Sequence, residues 1–194
     1  MDTLPRARVL VLGDSGAGKT SLVKTLCRQV SQLEAGAESP SLPLPLVGWT
    51  LGCDLDVMLY ESKKSGQCNF IEFVDVGGSS NSAEARSVFY QGVDAVMLVH
   101  DLANDRSFSN LSGWMDELKR FGGGADPKHS GRTMPTLLVG MKGDKMDSRK
   151  DRRKRRSMRG TFDTVEVSAK KAGQVLKFER FFDHILHHGL HEIA

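Results

Sequence analysis

Residues 13–20 read GDSGAGKT, and this stretch decides the fold of the chain. It follows the short apolar run RVLVL at residues 8–12 and precedes a helical pattern that we expect to extend to about Gln32. The stretch matches the pattern G-x-x-x-x-G-K-[ST] in the strand, loop and helix context that the pattern requires. Small residues let backbone N–H groups curve around an anion, and the following helix adds the positive end of its dipole. The sequence therefore predicts a phosphate-binding loop.

The side chains of this loop have separate expected roles. Lys19 is expected to reach the outer phosphates of a nucleotide, and the hydroxyl of Thr20 is suited to Mg²⁺. A glycine-rich turn with an unrelated lysine is the alternative, and the complete motif in its required context argues against it. The residues that we expect to contact the nucleotide here are Asp14, Ser15, Gly16, Ala17, Gly18, Lys19, Thr20 and Ser21.

The rest of the chain alternates strand and helix patterns. Strand patterns follow the loop at residues 53–60, 70–76, 95–100, 135–141 and 164–167. Helical patterns lie at residues 104–121 and 175–186. The strands at 53–60 and 70–76 form a predicted antiparallel hairpin, and the later alternation of strands and helices implies a mostly parallel sheet covered on both faces. We therefore predict an α/β P-loop NTPase fold with a six-stranded sheet, one antiparallel edge strand and a single domain over 1–194.

Two further segments carry groups that can sense a terminal phosphate. The second hairpin strand ends in Asp75-Val76-Gly77-Gly78, which reads D-x-x-G. Asp75 is expected to hold Mg²⁺, and the backbone N–H of Gly78 is expected to bond the terminal phosphate. Thr50, in WTLGCD, is expected to complete the Mg²⁺ shell when that phosphate is present. The alternatives are a strand that ends in a turn and a threonine at a strand edge. Together these contacts predict two loops that are ordered only in the triphosphate state.

Two tripeptides favour guanine as the base. Lys142-Gly143-Asp144 follows a predicted strand, and Asp144 can accept hydrogen bonds from guanine N1 and N2 while the Lys142 stem lies over the base. Ser168-Ala169-Lys170 follows the last strand, and its backbone can donate to guanine O6. Each tripeptide is common, but the two in this order favour guanine over adenine, because a site built for specific hydrogen bonds rejects a base that leaves them unpaired. A P-loop ATPase or a small-molecule kinase would share the phosphate loop and leave these tripeptides unexplained.

These five elements together resemble the Ras superfamily of small GTPases, and its Rab branch most of all. The stretches that carry the resemblance are VLVLGDSGAGKTSLV, DVGG, SVFYQGVDAVMLVHDLANDRSFSNLSGW and VSAK. The stretches WTLGCDLDV, FVDVGGS and KFERFFDHIL are most similar to the Rab-like protein three subfamily. The resemblance implies a small G-protein fold and a GTP/GDP switch with Mg²⁺ that acts in signalling or intracellular traffic. It also implies effectors, exchange factors and GTPase-activating proteins.

The sequence departs from the family at two functional positions. The family has Gln directly after D-x-x-G to orient the attacking water, and this chain has Ser79. Since serine is too short for that task, we predict very slow intrinsic hydrolysis that a partner accelerates. The catalytic group is then Lys19, Thr50, Gly78 and Ser79, and a pseudo-GTPase scaffold that binds nucleotide without turnover is the alternative. Met141 stands where the guanine motif has a polar residue, which predicts a looser base pocket and fast nucleotide exchange.

Composition and charge are those of an ordinary soluble domain. The chain is 39% hydrophobic and 26% charged, with a net charge of +3. Cys27, Cys53 and Cys68 have no metal-binding spacing and indicate reduced thiols in the cytoplasm. The chain shows no targeting segment and no cysteine near its end for prenylation, so we expect no lipid anchor. The sequence leaves open whether the chain forms a homodimer.

Two segments of unusual composition have roles that the sequence leaves open. Residues 34–46 form a proline-rich loop before Thr50, which is longer than the family pattern leads us to expect. Residues 149–159 read RKDRRKRRSMR and are expected to form a basic surface loop. This loop is either a solvated face, a nuclear import signal, or a patch for anionic membrane or nucleic acid. An import signal would add a nuclear location to the expected cytoplasmic one.

Overall fold

The computed structural model describes residues 4–34, 48–79, 83–121, 134–145, 163–170 and 174–189. Nearly all of the proline-rich loop at residues 34–46 and the whole basic run at residues 149–159 lie outside the described residues. The predictions made for these two segments therefore stay predictions. Within the described part, no helix has both the length and the apolar composition that crossing a membrane requires.

In the part of the chain that the structure describes, six strands form one sheet with the order β2-β3-β1-β4-β5-β6. Their bounds are β1 Arg6–Leu12, β2 Cys53–Glu61, β3 Cys68–Val76, β4 Ala95–Asp101, β5 Thr136–Met141 and β6 Asp163–Glu166. β2 pairs with β3 antiparallel at one edge, and all other neighbouring pairs are parallel. The predicted sheet with one antiparallel edge strand is confirmed. Because the parallel strands end at one edge, the loops that follow β1, β3, β4 and β5 meet there.

The described residues contain five α-helices: α1 Lys19–Glu34, α2 Ala83–Arg86, α3 Asp105–Ser109, α4 Leu111–Phe121 and α5 Glu179–Gly189. A 3₁₀ turn at Ser87–Tyr90 continues α2. The prediction of one helix over residues 104–121 was wrong in one respect, because Asn110 separates α3 from α4. Asn110 caps α3 with its backbone N–H, and its side-chain amide bonds the phosphate loop. α2 was not predicted from the sequence.

The core has two layers because successive residues of a strand point to opposite faces of the sheet. Val9 and Val11 of β1 face one layer, where they pack with side chains of α1 and α5. Leu10 and Leu12 face the other layer, where they pack with Tyr90 and with side chains of α4. Helices thus cover both faces of the sheet, as predicted. Cys27, Cys53 and Cys68 take part in no disulfide.

The edge strand β2 turns its acidic residues inward. Leu55 and Val57 are each 58% exposed, although they form the more apolar face of the strand. Asp54 and Asp56 lie on the opposite face, where both carboxylates pair with Lys24 of α1 at 3.1 and 2.8 Å. The pairing with Lys24 keeps these carboxylates on the helix side of the sheet. It leaves an uncovered apolar surface on the other side.

Candidate nucleotide-binding site

The phosphate loop occupies the turn between β1 and α1 and needs its glycines. Gly13 has φ 145°, and a Cβ there would overlap the backbone carbonyl oxygen of Val99. Gly16 and Gly18 have φ of 75° and 105°, a backbone region that residues other than glycine rarely adopt. α1 then begins at Lys19 and runs for 16 residues. The loop therefore sits at the positive end of a long helix dipole.

Lys19 is held inside the loop with only 5% of its surface exposed. Its ammonium donates to the carbonyl oxygen of Gly13 at 2.8 Å and to that of Asp14 at 3.2 Å. Burial lowers the pKa of Lys19, while the negative charges of Asp75 and Asp14 act in the opposite direction. A buried cation with such neighbours is positioned to receive an anion such as a phosphate group.

Three side chains predicted to bind Mg²⁺ converge beside this lysine. The Thr20 hydroxyl donates to Asp75 Oδ2, and the hydroxyl oxygens of Thr20 and Thr50 are 3.0 Å apart. The other carboxylate oxygen, Asp75 Oδ1, is buried and has no hydrogen-bond partner among the described residues. Burial also raises the pKa of Asp75, which the hydrogen bond from Thr20 partly offsets.

This donor set fits a magnesium ion. Mg²⁺ prefers oxygen ligands and usually takes only one or two carboxylates from the protein, with waters and phosphates completing its shell. Two hydroxyls and one carboxylate with an unpartnered oxygen meet that description. No group of three or more His, Cys, Asp and Glu side chains able to hold a metal occurs in the described part of the chain.

The segment after β3 lies directly on the phosphate loop. The backbone N–H of Ser15 donates to the carbonyl oxygen of Gly78 at 3.2 Å. A Cβ on Gly78 would lie 2.6 Å from the carbonyl oxygen of Gly13, so only glycine fits in this position. Gly77 donates its N–H to the carbonyl oxygen of Gly52 at 2.8 Å, just beyond Thr50. Backbone contacts therefore join the loop to the Gly78 segment, and they join the Gly78 segment to the Thr50 segment. Both segments were predicted to sense a terminal phosphate.

Ser79 follows Gly78 and is exposed. Its carbonyl oxygen accepts a hydrogen bond from Arg86 of α2. The predicted catalytic residues Lys19, Gly78 and Thr50 are thus gathered around the loop, while the Ser79 side chain faces solvent.

The predicted base-binding residues lie on the other side of the loop. Lys142 has φ 61°, a backbone conformation that a residue with a side chain adopts only when its surroundings hold it there. Its ammonium donates to the carbonyl oxygen of Gly16 at 2.8 Å and to Asp101 Oδ2 at 2.7 Å. Met141 is buried and packs beside Gly18. Lys142 therefore makes the polar tie to the phosphate loop that Met141 cannot make.

Asp144 is held as a carboxylate. The Ser168 hydroxyl donates to Asp144 Oδ1 at 2.6 Å, and Lys170 lies 3.0 Å from Oδ2. The bond from Ser168 and then the one from Lys170 lower the pKa of Asp144 to about 2. Ala169 packs against the core between these two partners in sequence. The two tripeptides predicted to read guanine are therefore brought together, with a charged acceptor in a fixed position.

Four residues near the site were missed or undervalued in the sequence. Asp101 pairs with Lys142, and Asn110 and Trp114 donate to the Asp14 carboxylate at 2.8 and 2.9 Å. In the sequence, Trp114 lies on one helical face with Leu111 and Leu118, a pattern that by itself indicates only packing. No sequence signal identified Arg86, whose partners lie 7 and 31 positions away.

This combination defines a class of protein. A mostly parallel sheet, a glycine-rich loop between β1 and a long helix, and a buried lysine within that loop are the features of a P-loop nucleotide-binding protein. The groups at the end of β3, which were predicted to contact phosphate, and those at the end of β5 and just beyond β6, which were predicted to contact the base, lie around this one loop.

Comparisons with known proteins identify the family within this class. The family model described as Ras of Complex, Roc, domain of DAPkinase matches residues 8–144. Rab-like protein 3 of Xenopus tropicalis is 44% identical over 121 residues, which cover 59% of this chain and 46% of that protein. Rab-like protein 3 of Bos taurus is 32% identical over 96% of this chain and 86% of its own length. Ras-related protein Rab-7b of Paramecium octaurelia is 30% identical over 87% of this chain and 75% of its own. The chain belongs to the Rab-like small GTPases of the Ras superfamily, with homologues named Rab-like protein 3.

Proposed function

We propose that the chain is a GTP/GDP switch that binds Mg²⁺ with its nucleotide. One observation carries the proposal: Thr20, Thr50 and Asp75 meet beside a buried Lys19, while Gly78 rests on the same loop. The two segments predicted to respond to a terminal phosphate thus converge on the loop that would hold it. A protein that only held a diphosphate would not need both of them there.

The chain's own residues divide the work of binding. Backbone N–H groups of residues 14–21 and the Lys19 ammonium bind the phosphates, and Asp144 accepts from the guanine edge with Ser168 and Lys170 holding it ionised. Thr20, Thr50 and Asp75 are the residues that would hold Mg²⁺, which neutralises charge on the outer phosphates when bound. Loss of the terminal phosphate removes the reason for Thr50 and Gly78 to stay near the loop.

Hydrolysis is proposed to be slow in the absence of a partner. The Ser79 side chain is exposed and short, and its carbonyl is held by Arg86, so it is poorly placed to orient water. In-line attack of water on the terminal phosphate then depends on a GTPase-activating protein that supplies an arginine or positions the water. Met141 still predicts fast exchange of GDP, although the contact of Lys142 with Gly16 works against it.

Single-turnover cleavage of bound GTP tests this proposal and its rival. We expect a slow but measurable release of phosphate from the wild-type protein. Ser79→Gln should raise the rate by about tenfold or more, because orienting the nucleophile is a main catalytic contribution in this reaction class. No cleavage by either protein, even with cell extract added, would favour the pseudo-GTPase scaffold instead. Fast cleavage by the wild-type protein alone would contradict the role assigned to Ser79.

Partner proteins are proposed to bind the apolar surface beside Thr50. Trp49 and Leu51 are 88% and 92% exposed on either side of it, and the surface continues along β2 through Leu55 and Val57. An effector with an apolar contact face would bind it in the triphosphate state, when Thr50 is fixed. A homodimer, and contacts of residues 149–159 with an anionic membrane or an import receptor, stay predictions.

A further inference from the structure

A chain of contacts through α4 joins the phosphate loop to the segment after Gly78. At its centre is Trp114, which is 7% exposed. Its indole N–H donates to Asp14 Oδ1 at 2.9 Å, and the Asn110 amide donates to Asp14 Oδ2 at 2.8 Å. Because both carboxylate oxygens accept a hydrogen bond, the Asp14 side chain is fixed to the start of α4. The side chain of Asp14 therefore binds α4, while its backbone forms part of the phosphate loop.

The face of the same indole carries a buried cation. The guanidinium carbon of Arg86 lies 4.5 Å from the ring centroid of Trp114, a favourable distance for a cation–π contact. Arg86 is 4% exposed and forms a two-bond pair with Glu117, with Nε and Nη2 donating at 2.8 and 2.7 Å. Its remaining nitrogen, Nη1, donates to the carbonyl oxygen of Ser79. Trp114 therefore contacts the loop through its edge, and its face contacts Arg86, which in turn binds Ser79 in the segment after Gly78.

We propose that Trp114 is a positioning residue that couples the phosphate loop to the segment after Gly78. The proposal rests on the nucleotide switch proposed above. A shift of either Asp14 or Ser79 strains the contact on one side of the indole, so the two segments favour one joint arrangement. A tryptophan that served packing alone would need neither the bond to a loop carboxylate nor a fully buried arginine on its face.

Fluorescence gives a readout independent of turnover. The chain has two tryptophans, so Trp49→Phe leaves Trp114 as the single emitter. We expect its emission maximum and its quenching by acrylamide to differ between the GDP form and the form with a non-hydrolysable GTP analogue. Adding Arg86→Lys to this background should remove that difference, because lysine cannot keep the paired bonds to Glu117 and the bond to Ser79 together. Identical emission and quenching in both nucleotide forms would overturn the proposal.

A second variant separates the N–H bond from the ring. Trp114→Phe keeps an aromatic face for Arg86 and removes the donor to Asp14. We expect the ratio of GTP to GDP dissociation constants to change by about fivefold or more, as is usual for a coupling between sites. Ser112→Ala, on the exposed side of the same helix, should leave that ratio unchanged. An unchanged ratio in Trp114→Phe, with a shift only in the unfolding midpoint, would show a packing role and overturn the proposal.

Failure of the proposed function has a different signature. If the parent protein binds neither GDP nor the GTP analogue, the nucleotide switch is overturned and the coupling falls with it. If the parent protein binds both and Trp114 reports no difference, only the coupling is overturned.

Discussion

At the scale of single residues, we expect Asp75 to couple the stability of the fold to the binding of Mg²⁺. Its buried carboxylate has one oxygen without a partner, and burial raises its pKa. A raised pKa means that the ionised form destabilises the folded protein when no metal is bound. The stability that the metal-free protein has with Asp75 neutral is therefore complete below the ordinary carboxyl pKa. It is lost as the pH rises through the raised pKa of Asp75 in the folded state. Above that raised pKa the metal-free protein bears a buried charge, which the hydrogen bond from Thr20 and the positive charge of Lys19 offset only in part.

Asp75→Asn should separate these two effects. In nucleotide-free protein with EDTA at pH 7, we expect a higher unfolding midpoint than in the wild type, because an amide removes the buried charge and still accepts from Thr20. In excess Mg²⁺ we expect GTP affinity to fall by about tenfold or more, since even outer-shell partners of a metal contribute that much. Denaturation scans and titrations of both proteins measure this. A lower midpoint without metal would contradict the account of Asp75.

Asp144 is the residue on which we propose that base selection depends. Its carboxylate can accept from two guanine donors, so Asp144→Asn should weaken GDP binding by about tenfold to a hundredfold. Xanthine carries an acceptor where guanine carries its amine, and an asparagine amide can donate to that acceptor. The variant should therefore bind xanthosine diphosphate more tightly than GDP in a competition assay. Retained preference for GDP would mean that other groups select the base.

Motif residues could be predicted from the sequence because the motif fixes local backbone geometry. Lys19, Thr20 and Asp75 were identified in this way, and the structure brings them together. The partners of the motifs could not be predicted, because they lie far away in the chain. The bond from Trp114 to Asp14 spans 100 positions, and the tie from Lys142 to Gly16 spans 126. Such pairs become visible only when the order of the strands is known.

At the scale of elements, the segment after β3 is positioned by contact of its backbone with the phosphate loop. Gly78 fits against Gly13, Asp14 and Ser15 because it has no side chain. Gly78→Ala should push this segment away from the loop at a cost of about 1–3 kcal/mol. We expect GTP affinity to fall while GDP affinity changes little, because only the terminal phosphate needs the Gly78 N–H.

Gly113→Ala provides the matched control. Gly113 lies on the exposed side of α4, and a Cβ there meets no atom within 4 Å. Since alanine favours the helix over glycine, this variant should raise the free energy of unfolding by about 0.5–1 kcal/mol without changing either affinity. Equal loss of GTP and GDP binding in Gly78→Ala would show a general disruption of the loop and contradict the phosphate-sensing role.

Elements were predictable where periodicity and packing agree. The strands β1, β3, β4 and β5 appear as apolar runs and were placed correctly. The break at Asn110 was not predictable, because it depends on a bond to Asp14 in another part of the chain. The side of β2 that faces the helices was also undetermined, since it is Lys24 of α1 that holds Asp54 and Asp56 inward.

At the scale of the whole molecule, the strand order explains why distant motifs form one site. β1 lies between β3 and β4, so the phosphate loop has the Asp75 segment on one side and Asp101 on the other. β5 lies next to β4 and brings Lys142 to the carbonyl of Gly16. The phosphate side and the base side of the site therefore lie on opposite flanks of one loop. The fold class followed from the alternation of elements, and this arrangement followed only from their order.

We expect this arrangement to bind guanine nucleotides selectively with Mg²⁺. Calorimetric titration of nucleotide-free protein with GTP, GDP and ATP in excess Mg²⁺ measures this selectivity. We predict tight binding of both guanine nucleotides and at least about a thousandfold weaker binding of ATP, because adenine leaves the Asp144 carboxylate without its donors. Equal affinity for ATP, or no binding of any of the three nucleotides, would contradict the account.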